Sequence, residues 1–179
     1  MASLLTVCGV LACAPTAPDN EDRPLSSPDL WAVTDALIPG VPTPAADGSF
    51  CSTEGYKAEQ LGSAYVFSVL TLFCNHLSVT QPTLTEIKTG ETLRMKLWHS
   101  QLTAPVDSAA HVLIGVGDLT LWEEIYPIPT LEGSLNTSYW DAPHDIPAGT
   151  PLFFHVRNHG ANEYSLVEIS VVEEITDSP

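Results

Sequence analysis

Between Thr92 and His99 the chain alternates without a break, with Leu93, Met95 and Leu97 set against Arg94, Lys96 and Trp98. A period of two sends successive side chains to opposite faces of an extended strand, so this segment predicts a strand with one buried and one solvated face. Similar segments recur after short gaps. Tyr65 to Phe73 is a continuous β-rich apolar run, suited to a fully covered strand, and Leu77 to Thr80 is short and closed by Pro82, which suits an edge or a strand end. His111 to Val116 and Leu119 to Ile125 flank Gly117-Asp118, a two-residue hairpin turn. Ser134 to Trp140 is a weaker strand, and Leu152 to Asn158 and Tyr164 to Val172 flank a Gly/Asn loop. Seven or eight short strands, with turn signals about every 8–12 residues, predict an all-β antiparallel β-sandwich of the jelly-roll type. The one helical expectation is short and N-terminal. Ser27-Pro28 reads as an N-cap with Pro at the first helical position; Leu30, Trp31, Thr34, Leu37 and Ile38 share one face; Pro39-Gly40 ends the run.

Charge removes whole classes of function. The 179 residues carry six Lys and Arg against 22 Asp and Glu, a formal net charge of −16. Nucleic-acid binding needs clustered cations to neutralise phosphates, and the same repulsion disfavours adsorption on anionic lipid. Residues 1–13 are uncharged and mostly apolar, too short to span a bilayer and fitting the apolar region of a secretory signal. Val10-Leu11-Ala12-Cys13 resembles the cleavage box of bacterial lipoproteins, which implies lipidation at Cys13 and a membrane anchor facing the periplasm or cell surface. The alternative for this run is a buried N-terminal strand. Residues 14–47 are expected to form a Pro-rich acidic spacer with the short docking helix, residues 48–175 the sandwich domain, and residues 176–179 a tail. If Cys8 leaves with the signal and Cys13 carries lipid, Cys51 and Cys74 remain as an even pair. In an oxidising compartment they are expected to form a disulfide, contributing about 3 kcal/mol by the loop-entropy model.

Several enzyme classes can be dismissed by absent parts. There is no GxSxG elbow, phosphate-binding loop, GxGxxG or HExxH, and no Cys after Cys74 to build a blue-copper site. His155 and His159 are spaced HxxxH, but on a strand four residues span about 13 Å, too far for joint ligation unless the chain bends at Asn158. A metal site would have to be assembled across strands, with His99, His111 and His155 as the candidate set. Glu123 and Glu124 are adjacent on a strand and point to opposite faces; Asp141 and Asp145 flank a Pro-containing loop as a weak glycosidase-type pair. Trp98 offers more, because its alternation with Arg94 and Lys96 places an indole on the polar face, where a sugar ring could stack. The competing reading for each Trp is burial in the core.

The stretch from Asp145 to Val171 runs through an Ala-Gly-Thr turn, an alternating strand with Phe154 and Val156, a Gly/Asn loop, and a last strand with Leu166, Ile169 and Val171. It is similar to the closing strands of galactose-binding-like jelly rolls, a superfamily rich in carbohydrate-binding modules. That resemblance implies sugar contacts from a polar residue near the final loop, here Asn162, with Tyr164 beside it. A structural calcium would also fit such a fold; no other cofactor is implied. The whole chain resembles uncharacterised secreted lipoproteins of bacteria through its Cys74-Asn75-His76 and Asn158-His159-Gly160-Ala161-Asn162 blocks. The expectation is therefore an exported, lipid-anchored, non-catalytic binding module for a glycan or an envelope protein. Its recognition end would hold Trp98, His99, His159, Asn162 and Tyr164. The rival expectation is a metal-binding protein or metal-dependent enzyme using the cross-strand histidines.

Overall fold

The computed structural model describes residues 22–35, 38, 40–41, 51–158 and 160–172. Eleven strands make it up: β1 Arg23–Pro24, β2 Ala32–Val33, β3 Tyr56–Leu61, β4 Ala64–Leu70, β5 His76–Pro82, β6 Thr92–His99, β7 Ser108–Val116, β8 Leu119–Ile128, β9 Ser134–Asp141, β10 Pro151–Arg157 and β11 Glu163–Val172. They form two antiparallel sheets. One runs β3-β4-β11-β6-β9, with β1 also paired to β11; the other runs β2-β5-β10-β7-β8. The all-β sandwich expected from the alternation is present, and β6 has the bounds its period of two predicted.

The core lies between the sheets and is made by the inward half of each alternation. Leu93, Met95 and Leu97 of β6 meet Val112 and Ile114 of β7 and Leu152, Phe154 and Val156 of β10 within one buried cluster. Aromatic rings fill its centre: Phe67 lies edge-on to Phe154 at 6.4 Å, and Trp31 tilts against both, at 5.9 and 6.2 Å. Such offset and edge contacts suit ring quadrupoles and add to the area term. At the β7–β8 turn Gly117 takes φ +57°, the left-handed conformation the hairpin demands.

The N-terminal segment departs from the sequence expectation. The short helix reduces to one 3-10 turn at Pro28–Leu30, after which Trp31 is already extended and Ala32 and Val33 pair with Thr80 and Val79 of β5. A short isolated helix is marginal, whereas an open sheet edge offers ready partners for backbone groups. Pairing also sends Trp31 into the core, while Ile38 packs on the opposite, outer face against Leu113 and Phe153. Leu37 and Pro39 lie outside the described residues, as do the apolar run, Cys13 and residues 14–21. The sandwich takes in residues assigned above to the 14–47 spacer: Leu25 is fully buried, and β1 and β2 join one sheet each.

Cys51 and Cys74 are joined by a disulfide. It ties the segment entering β3 to the turn before β5, and a structural bond of this kind belongs to an oxidising compartment. The Cys51→Ala/Cys74→Ala variant is expected to lose about 3 kcal/mol of stability. Urea unfolding of the two proteins without reductant should show that gap, and excess reductant should close it.

Candidate functional site

Three polar regions of the surface and its margins present chemistry. The first is the end where β10 turns into β11. Asn158 Nδ2 donates to Thr71 Oγ1 at 2.6 Å, and Thr71 Oγ1 donates to the Gly160 carbonyl at 2.6 Å. Asn162 binds both polar groups of Thr103, accepting from its N–H at 2.6 Å and donating to its carbonyl at 3.0 Å. The Tyr164 hydroxyl donates to Asn158 Oδ1 at 3.4 Å. Gly160 sits at φ +124° with its missing Cβ only 2.1 Å from the Thr103 carbonyl oxygen, so only glycine fits there. The knot ties three loops together with buried side chains whose hydrogen bonds are spent on one another.

Asn162 and Tyr164, expected at the recognition end, are thus found inside it, at 4% and 0% exposure. His99 is also inward, its Nδ1 donating to the Ser100 carbonyl at 2.7 Å and its ring against Tyr126 and Tyr164. Burial pushes both phenols well above their ordinary pKa, so they stay protonated. His159 lies outside the described residues. Trp98 alone of the described members faces outward.

The second region is the outer face of the six-stranded sheet. Trp98 stands half-buried there, in register with Leu135 of β9 on one side and Ser165 of β11 on the other. Trp31 belongs to the core, and Trp122 and Trp140 pack against it; Trp98 does neither. Along the same face Lys96 pairs with Glu168 at 2.9 Å, Arg94 binds Glu168 and Asp22, and Tyr139 is 60% exposed in register with Arg94. Four strand residues separate the Trp98 row from the Tyr139 row, about 13 Å. The result is an open face with two aromatic rings separated by a lattice of paired charges and hydroxyls.

The third region is the outer face of the five-stranded sheet. His76, Arg157 and His111 stand in one row across β5, β10 and β7, with His155 one row further along β10. The His155 ring lies 4.7 Å from that of His76 and 5.8 Å from that of His111. Its Nδ1 is 3.0 Å from Ser78 Oγ, while its Nε2 is buried with no hydrogen-bond partner among the described residues. The proposed metal set therefore does not assemble, since His99 belongs to the other sheet. Among the described residues no group of three or more His, Cys, Asp and Glu is placed to hold a metal ion. Asp145 is occupied by the N–H and hydroxyl of Thr89, and Asp141 accepts from Thr92, so the two carboxylates serve separate turns.

With this geometry in hand, comparison with known proteins gives a fold. No family model matches the chain, and no curated protein matches it. Among solved structures, a carbohydrate-binding module studied for specific mannan recognition superposes with a TM-score of 0.51 at 7% identity, covering 86% of this chain and 96% of its own. In fold, this chain is similar to carbohydrate-binding modules. A family 16 carbohydrate-binding module (TM-score 0.43, 12% identity, 66% of this chain and 86% of its own) also matches. So does the K3 adhesin domain of Lys-gingipain from Porphyromonas gingivalis (TM-score 0.48, 14% identity, 84% and 97%).

One group in the third region has a measurable consequence. Burial first, then the charges of His76, His111 and Arg157, push His155 down to about 3. The folded protein holds this ring neutral, whereas the unfolded chain protonates it near 6.5. The unfolded state therefore binds the extra proton, and stability falls as pH drops through the window from about 6.5 to 3, by about 1.4 kcal/mol per unit from this group. Urea midpoints measured across that window should show a shallower pH slope for His155→Gln than for the parent.

Proposed function

We propose that this domain is a non-catalytic binding module that takes a glycan on the outer face of its six-stranded sheet, with Trp98 as the platform for a sugar ring. The placement of Trp98 carries this reading. Trp31 is buried in the core and the partly buried Trp122 and Trp140 pack against it, whereas Trp98 stands on the solvated face. An indole there presents an apolar surface to the C–H face of a sugar while Lys96, Glu168 and Thr137 offer partners to its hydroxyls. Tyr139 extends the platform beyond the span of one sugar ring. Similarity of fold to carbohydrate-binding modules agrees with this use of a sandwich, though a fold hosts many functions and the site has to carry the argument.

His99, Asn162 and Tyr164 serve the site from beneath, by fixing the end of the sandwich from which β6 and β11 present Trp98 and Ser165. We also propose export and attachment to a membrane of the cell envelope through a lipid on Cys13, at the periplasmic or outer surface. The lipoprotein-like residues 10–13 and the disulfide support it together.

Titration with soluble polysaccharides, mannan among them because a fold neighbour recognises it, is expected to quench indole fluorescence. Trp98→Ala should weaken binding at least tenfold, about 1.4 kcal/mol, while Trp122→Phe should leave it intact. Quenching that persists unchanged in Trp98→Ala would move the site elsewhere. For the anchor, Cys13→Ala should transfer the protein from the membrane to the soluble fraction on cell fractionation, and an unchanged distribution would remove the lipid.

A further inference from the structure

The chain has six cationic side chains, and five of them are spoken for. Arg23 pairs with Glu91, Lys57 with Glu59, Lys88 with Glu86, and Arg94 and Lys96 share Glu168. Arg157, at the end of β10, has no carboxylate partner among the described residues. Among the sixteen acids of the described residues none meets it, a conspicuous omission, because an exposed guanidinium is readily met by any nearby carboxylate.

Its neighbours make the omission informative. Arg157 is in register with His76 on one side and His111 on the other, so two imidazoles flank the guanidinium on the same face. Beside it opens a shallow cavity of about 230 Å³ lined by Ala109, Ala110, His111, Ile125 and Arg157. Ile125 is 62% exposed and forms an apolar wall opposite the cation. Glu123 of β8, one row away, is engaged with His111 Nε2 at 2.6 Å. That bond fixes the imidazole and keeps the carboxylate off Arg157.

We propose that this cavity is a second binding site, distinct from the Trp98 face, for the carboxylate of an acidic sugar. The planar guanidinium offers a fork that matches a carboxylate with two parallel hydrogen bonds. The Nδ1 of His111, whose Nε2 is held by Glu123, and the ring of His76 beyond the guanidinium serve the hydroxyls that flank a carboxylate on a sugar ring. Ala109 and Ile125 supply the apolar contact that the ring's C–H groups need, and the volume suits a single ring. The net charge of −16 restricts the ligand further: a densely charged polyanion is repelled by the rest of the surface, so the match is an isolated or terminal uronate within an otherwise neutral glycan. The choice of a sugar as the bearer of the carboxylate rests on the glycan-binding reading above.

The test is a titration of the full domain with galacturonate and glucuronate, read by NMR on the ring signals of His76 and His111 and the side-chain Nε–H of Arg157. The expected result is saturable shifts at all three, at least tenfold weaker binding by the methyl esters, a similar loss in Arg157→Gln and partial retention in Arg157→Lys. Absence of shifts, or shifts unchanged in Arg157→Gln, overturns the site. Equal affinity for acetate overturns the assignment to a sugar. The two readings fail separately: neutral glycan binding at Trp98 with no uronate response at Arg157 removes only the second site. A uronate response without any Trp98 quenching removes the first and leaves this one standing.

Discussion

The connection from Asn158 to Asn162 joins the middle strand of one sheet to the middle strand of the other. β10 has two strands on either side in the five-stranded sheet, and β11 holds the same position in its own. The two central strands are thus joined by one short crossing. In that crossing the side-chain amides of Asn158 and Asn162 are closed on each other and on Thr71 and Thr103. Buried polar networks of this kind hold a geometry only when every member is satisfied, and this one nearly is.

The sequence shows the sandwich well where burial is one-sided. β6 and the β7–β8 hairpin are readable because alternation and a Gly-Asp turn are local signals, and β9 is visible as a weaker strand. β3 was missed: Tyr56–Leu61 mixes Lys57, Glu59 and Gln60 with small residues, and its pairing to β4 is decided by a neighbour. The N-terminal segment misled for a related reason. Leu30, Trp31 and Ile38 do share a helical face, but the two sides of a sheet supply two burial sites, and the extended chain reaches both.

Site residues divide along the same line. Trp98 could be placed on the outer face because its strand alternates cleanly, but the same alternation puts His99 inside, next to it in sequence. Asn162 and Tyr164 carry polar groups into the interior, and a polar residue by a loop reads alike whether it meets a ligand or another amide. The row of His76, Arg157 and His111 could not be found in the sequence at all. It comes from the register of three strands far apart in the chain, and no spacing encodes it.

β1 and β2 lead to a property of a different kind. The N-terminal segment is threaded through the sandwich: Arg23 and Pro24 continue along β11 where β4 leaves off, Leu25 plugs the core, and Ala32 and Val33 close the edge of the opposite sheet. A pull applied at that end would therefore not simply peel away a tail. It would load a short pairing against the central strand, backed by Arg23 on Glu91 and a buried leucine, before any long strand were stressed. The amino-terminal segment is thus a clasp joined to both sheets, and tension from that side would reach the clasp first.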